Sequence, residues 1–275
     1  MNAPLPGGEG GVDSGRAGTS SLGRPRIVVL QHTIRAALSG LAPVLSRKTD
    51  LVHLRVYEAP EFAAARIDEL IASGDYDALV ALGGAMGVYD QGEYPFLGLS
   101  LRMVADALRR DAPVLGLCLG AQMMAEVLGS PVFRGSEIDL PRELGFFPLT
   151  LSEAGRADPL ASPFAGPDPV LFWHQDTFRL PEGATLLAST DLYPMAAFRL
   201  NGHQYGLQFH AETTPDLLEV WVSQSRDLVV GAGVDPDALL AQARSLEEGI
   251  LRRGTDLAER VVEWATAYRR RRLGA

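Results

Sequence analysis

The chain has 275 residues, 47% of them hydrophobic, which is enough to bury a sizeable core and excludes wholesale disorder. Its formal net charge of −9 at pH 7 sets it against nucleic acid and anionic membrane surfaces, both of which repel a net acid. A single cysteine excludes an internal disulfide, no apolar run approaches the roughly 20 residues that span a bilayer, and the N-terminus lacks a basic-then-apolar signal pattern. The sequence therefore reads as a cytoplasmic protein without a membrane or nucleic-acid partner.

Residues 1–24 are rich in Gly, Pro and Ser and nearly free of large apolar side chains. They read as a disordered tail that cannot offset its ordering entropy by burial. The pattern changes at RIVVL (26–30), a short β-rich run. A helix is predicted near 34–46, kinked by Gly40 and Pro43. LVHLRVYE (51–58) alternates like a strand, EFAAARIDELIAS (61–73) has helical spacing, and DALVALGG (77–84) is a buried-type strand ending in glycines. FLGLSLRMVADALRR (96–110) is helical and PVLGL (113–117) is the next strand. Apolar strands alternating with helices imply an α/β fold, a mostly parallel sheet with helices on both faces. From 131 to 210 the pieces LGFFPLTL (144–151), PVLFWH (169–174), ATLLAST (184–190), PMAAFRL (194–200) and QYGLQFH (204–210) have little helix between them, which predicts antiparallel strand additions. Residues 216–275 return to helical spacing, and 226–275 form a C-terminal helical extension of the domain at 25–225.

The lone cysteine, Cys118, follows a buried-type strand and precedes a helix, between Gly116 and Gly120. A strand-to-helix turn at the carboxyl end of a parallel sheet is where α/β ligands bind. Small neighbours relieve the crowding of such a turn, the logic of the G-x-S-x-G nucleophile elbow with Cys in place of Ser. A helix N-terminus stabilises a thiolate and offers backbone N–H donors to an oxyanion. A small buried core residue is the other reading of a lone cysteine. The nucleophilic reading needs a base, and His210, at the end of the apolar YGLQFH, has Glu212 two residues on. Spacing alone does not place that pair beside Cys118.

Taken together, GLCLGAQ (116–122), LGG (82–84) and GLQFHAE (206–212) resemble the class I, or triad-type, glutamine amidotransferase family, over roughly residues 26–225. GGAMGVYD (83–90), ELGFFPL (143–149) and WHQDTF (173–178) look like its free-standing GMP synthase-like branch. The resemblance implies a flavodoxin-like core and a set of roles. Cys118 would attack the side-chain amide of glutamine to form a γ-glutamyl thioester. His210 would shuttle the proton, Glu212 would orient the imidazole, and the N–H groups of Gly84 and Leu119 would form the oxyanion hole. Gln122 and the backbone near His174 and Gln175 would hold the substrate. No cofactor or metal is implied. The family pattern usually has proline where this chain has Ala85 and Ala211, which predicts slightly looser loops without loss of the catalytic groups.

Other features take plainer readings. His174 is a second candidate base but reads better as pocket lining, and Asp176 reads as a loop anchor with substrate contact as the alternative. Trp173 and Phe178 read as core or pocket wall. His32, His53 and His203 lack metal-ligand spacing. The run Arg269–Arg272 ends the last helix, where the helix dipole accounts for it. Functionally, the first expectation is a glutaminase that supplies ammonia to a separate ATP-dependent synthetase, since the chain shows no ATP-binding motif of its own. The alternative is a stand-alone hydrolase of γ-glutamyl amines or peptides using the same triad, and the third is an inactive binding or regulatory module. A cysteine-elbow protein of another superfamily is disfavoured by the QFHAE segment.

Overall fold

The computed structural model describes residues 23–274, so the predicted tail lies almost wholly outside the described residues. Strand and helix alternate through β1 (Arg26–Gln31), α1 (Ala42–Lys48), β2 (Asp50–Arg55), α2 (Pro60–Ser73), β3 (Ala78–Ala81), α3 (Phe96–Arg109), β4 (Val114–Leu117) and α4 (Leu119–Val127). Shorter pieces follow: β5 (Val132–Arg134), β6 (Glu143–Phe147), β7 (Thr150–Leu151), α5 (Glu153–Ala157), β8 (Val170–His174), β9 (Asp176–Phe178), β10 (Thr185–Ser189), β11 (Ala197–Leu200) and β12 (Gln204–Leu207). The chain closes with α6 (Pro215–Gln224), α7 (Arg226–Gly231), α8 (Pro236–Ser245) and α9 (Glu247–Leu273).

Eight strands make one sheet in the order β2-β1-β3-β4-β12-β11-β10-β7. The first five are mutually parallel, and β11, β10 and β7 extend the edge in antiparallel sense. Alternate residues of each strand face opposite sides, so the sheet separates two apolar layers. Ile27, Val29, Ala78 and Val80 pack toward α1 and α9, whereas Val28, Leu30, Leu79 and Ala81 pack toward α2, α3 and α4. From the C-terminal helix, Leu257, Ala258, Val261 and Ala265 are integral to the first layer.

Several details differ from the sequence expectation. The helix predicted at 34–46 starts later, at Ala42, with Pro43 in its first turn, where a missing N–H leaves no helical bond unmade. LGFFPLTL is two strands that part at Pro148: β6 pairs with β8 in a separate ribbon, while β7 joins the main sheet through β10. A second ribbon pairs β5 with β9. The helical stretch after 216 breaks into four. Thr214 and Asp235 cap α6 and α8 ahead of Pro215 and Pro236, and Gly233 turns the chain at φ +76°. Two arginines of the C-terminal run are held by more than the helix dipole. Arg269 and Arg272 both bond the wholly buried Asp77 carboxylate, at 2.9 and 3.0 Å, and clasp the end of α9 to the amino edge of the sheet.

Candidate active site

Cys118 stands between β4 and α4 with φ +51° and ψ −105°, a conformation that costs a non-glycine residue on the order of 1–3 kcal/mol. The surrounding chain holds it there. Its N–H donates to the Leu207 carbonyl of β12 at 2.7 Å, and its carbonyl accepts from the Gln122 N–H at 3.1 Å. The turn also needs α4 to lie against the sheet. A Cβ on Gly116 would sit 2.6 Å from the Gly120 carbonyl oxygen, and one on Gly120 would collide with the Ala81 carbonyl. The two glycines that flank the thiol in sequence are thus what allows helix and strand to close around it.

β12 runs parallel beside β4, and the chain leaves it at Leu207, three residues short of His210. Backbone bonds guide that exit: Gln208 N–H donates to Ala196 O, His210 N–H to Leu171 O, and Gly40 N–H to Glu212 O, each at 2.8 Å. These bonds constrain the segment around Ala211, where the family pattern has proline. His210 Nδ1 meets Glu212 Oε1 at 2.8 Å, and both side chains are buried. On its other side the imidazole reaches the Cys118 thiol. Burial pulls the His210 pKa down, but the Glu212 carboxylate and the Cys118 sulfur outweigh it and raise the pKa to about 10. The second carboxylate oxygen of Glu212 is buried without a hydrogen-bond partner among the described residues.

The loop after β3 closes the third side. Gly83 is flanked by the His210 ring and the Cys118 side chain. A Cβ on Gly84 would lie 2.6 Å from Leu119 Cδ2, so the loop rests closely on the first turn of α4. Leu119, as the first helical residue, has no carbonyl one turn earlier to take its N–H. His32 holds the loop from beneath. Its ring donates to the Leu82 carbonyl at 3.0 Å and meets Ser100 Oγ at 3.1 Å, and burial pushes its pKa down to about 4, which keeps it neutral. His53 lies on β2, and His203 bonds Asp111 at the far edge of the sheet; neither lines the site.

A cavity of about 590 Å³ opens above these groups, and Cys118, although only 5% exposed, contributes to its wall. Gln122 and the turn His174–Asp176 line one side. At Gln175 the chain passes from the β6–β8 ribbon to the β5–β9 ribbon, which turns Gln175 and Asp176 toward the cavity. The Asp176 carbonyl takes hydrogen bonds from both His174 Nδ1, at 2.9 Å, and Gln122 Nε2, at 3.2 Å. Gln122 also donates to Gln208 Oε1 at 3.2 Å. The Asp176 carboxylate accepts from Tyr89 at 2.8 Å; burial raises its pKa, against the Tyr89 bond and Arg134, which lower it. Opposite, Trp221 sets its indole edge-on to His210 with ring centroids 4.8 Å apart, and Trp173 packs on Trp221 at 5.6 Å. Trp173 is therefore pocket wall, whereas Phe178 is core, packed on Phe198.

The structure thus brings Cys118, His210, Glu212, Gly84, Leu119, Gln122, His174 and Gln175 into one locus. It adds residues to which the sequence alone does not point. Glu143, wholly buried, is the cross-strand partner of His174 and bonds its Nε2 at 2.8 Å; Thr190 bonds the other carboxylate oxygen at 2.5 Å. Arg142 bonds the Gln175 amide, and Arg35 and Trp221 also line the cavity. Only Glu143 carries a sequence signal, as the first residue of the ELGFFPL segment. Among the described residues no helix is long and apolar enough to cross a membrane, and no group of three His, Cys, Asp or Glu side chains could hold a metal ion.

Comparison with known proteins agrees with this architecture. The family model described as "Glutamine amidotransferase class-I" matches residues 47–220. The glutamine amidotransferase-like protein YfeJ of Salmonella typhimurium is 31% identical over 161 residues, which cover 58% of this chain and 66% of that protein. The glutamine-hydrolyzing GMP synthase of Streptomyces avermitilis is 34% identical over 163 residues, 58% of this chain and 28% of the synthase. The chain therefore spans under two thirds of the former and under a third of the latter. The crystal structure of a glutamine amidotransferase from Thermotoga maritima superposes with a TM-score of 0.72 at 28% identity, over 88% of this chain and 99% of that one. This chain belongs to the class I glutamine amidotransferase family.

Proposed function

We propose that this chain hydrolyses γ-glutamyl amides, glutamine among them, through a thioester on Cys118. One observation carries the reading: a thiol held on a strained turn, with a carboxylate-backed imidazole on one side and a cavity above. The sulfur attacks the γ-carbonyl carbon, and His210, which its raised pKa leaves protonated, gives its proton to the departing nitrogen. The negative oxygen of the tetrahedral intermediate faces the N–H groups of Gly84 and Leu119; losing one such donor typically costs about 3 kcal/mol of transition-state stabilisation. Water, deprotonated by His210, then releases glutamate and restores the thiol. Glu212 holds the imidazole in the tautomer that leaves Nε2 toward the sulfur. Gln122 and the His174–Asp176 turn take the amino-acid end of the substrate.

Glutamine as substrate, with ammonia handed to a separate ATP-dependent synthetase, is supported by the glutamine-hydrolyzing synthases among the relatives, which carry far more chain than this one. A stand-alone γ-glutamyl hydrolase is favoured by a different observation, the cavity that continues past His210 to Trp221 and Arg35, beyond what released ammonia occupies. Incubation with glutamine, acid quench and mass analysis tests the shared chemistry. The expected result is a glutamyl adduct on Cys118 of the native chain and none on Cys118→Ala. A folded native protein that forms no adduct and releases no glutamate overturns the reading. Co-purification of a synthetase with the chain separates the two fates of the leaving group.

A further inference from the structure

The substrate's four directions are set by the groups around the thiol. Its γ-carbonyl carbon meets the sulfur, its oxygen faces Gly84 and Leu119, and its amino-acid end runs toward Gln122 and Asp176. The leaving nitrogen must then face His210, and whatever that nitrogen carries extends toward Trp221, Trp173 and Arg35. This side is built with care. The Trp221 indole N–H donates to the Arg35 carbonyl at 2.8 Å, which fixes the indole against His210 and places Arg35 next to it. The Arg35 side chain has one hydrogen bond, to Ser225 Oγ at 3.3 Å, and among the described residues no carboxylate partner, although the chain carries 34 Asp and Glu against 25 Lys and Arg. A guanidinium offers five donors in a planar fork suited to a carboxylate. Arg35, Trp221 and Ser225 all lie outside the 47–220 segment matched by the family model.

We infer that the leaving-group side of the cavity binds amines bearing a carboxylate, so that γ-glutamyl α-amino acids are better substrates than glutamine, with the carboxylate on Arg35 and the side chain against the two indoles. The inference rests on the hydrolase reading above. The step balances in the same way. The sulfur–carbon bond forms as the carbon–nitrogen bond breaks, His210 gives its proton to the nitrogen, and the free amino acid departs. Water then cleaves the thioester to glutamate and thiol. Glutamine is the smallest γ-glutamyl amide, outside this class, and its ammonia leaves Arg35 without a partner.

The test measures kcat/KM on four compounds with one enzyme preparation: γ-glutamyl-leucine, its C-terminal amide, γ-glutamyl-isobutylamine and glutamine. The carboxylate compound is expected to exceed its own amide and the alkylamine by roughly ten- to a hundredfold, the range of a charge-assisted hydrogen-bonded contact. In Arg35→Gln the ratio of acid to amide collapses to within about threefold of one; being a ratio within one preparation, it is insensitive to the fraction folded. Arg35→Lys, with charge but no fork, retains an intermediate ratio. A native ratio near one with glutamine still hydrolysed overturns this inference and leaves the hydrolase reading standing, as does a high ratio that survives Arg35→Gln. Absence of turnover on all four compounds overturns the hydrolase reading and this inference with it.

Discussion

Two buried histidine–carboxylate couples lie within this one site, His210–Glu212 and His174–Glu143, each closed at 2.8 Å. Their local chemistry is the same, and their surroundings give them different work. In the second couple both ring nitrogens are spoken for, Nε2 by Glu143 and Nδ1 by the Asp176 carbonyl. In the first only Nδ1 is taken by the carboxylate, and the rest of the ring faces a thiol. A histidine with both nitrogens tied to protein can hold a turn, and one with a free edge toward a nucleophile can move a proton. The two couples differ in the number of committed nitrogens, which residue type and burial do not reveal.

The comparison breaks most decisively at His210. His210→Gln should lower kcat on glutamine by about ten-thousandfold, because nucleophile and base act as a unit. His174→Gln should reduce kcat by no more than about tenfold, measured by glutamate release. Equal losses in the two variants would mean that the second couple also moves protons. Glu212→Gln comes next, with an expected loss of about a thousandfold in kcat. It also removes the Glu212 carboxylate, which with the Cys118 sulfur raises the His210 pKa, so that pKa should fall from about 10, as read from the His210 Cε1 proton shift by NMR.

Glu143→Gln sharpens the contrast from the other side. Its carboxylate is wholly buried and bonds both His174 and Thr190, so the variant should lose about 2–4 kcal/mol of stability in urea denaturation. Catalysis should suffer in KM more than in kcat, since the His174 bond to the Asp176 carbonyl helps seat Gln122. The smallest expected effect concerns pH. The folded-state pKa of His210 lies above its ordinary value of 6.5, so the charged couple contributes stability that is fully present below about pH 6.5 and is lost as the pH rises through about 10. The difference in denaturation midpoint between the native chain and His210→Gln should shrink across that range.

Much of the site is legible in the amino-acid order alone. The apolar VLGL run, the glycines around Cys118 and the QFHAE segment each carry a local reason for what they do. The buried strand, the tight turn and the residues just past a neighbouring strand depend on near neighbours in the chain. The features without a sequence signal are those whose partners are remote. Asp77 gives no hint of Arg269 and Arg272, about 190 positions away, and the helix dipole is a sufficient local account of that run. Glu143 and His174 meet because the β6–β8 register sets them opposite each other, a cross-strand pairing that neither segment marks. Arg35 escapes notice because it falls inside the helix expected at 34–46. That helix starts only at Ala42, which leaves Arg35 in a loop beside Trp221.

Residue order dictates the alternation of apolar strands and helices, and with it a parallel sheet whose carboxyl edge carries the thiol on a glycine-flanked turn. These follow from periodicity, side-chain size and backbone freedom, which act over a few residues. Only the folded chain decides which of two histidines has both ring nitrogens bonded to protein and which residues wall the cavity beside the thiol. Those outcomes depend on which distant groups reach the same few ångströms, and hydrogen bonds and charges act only across such distances, however far apart their owners stand in the chain.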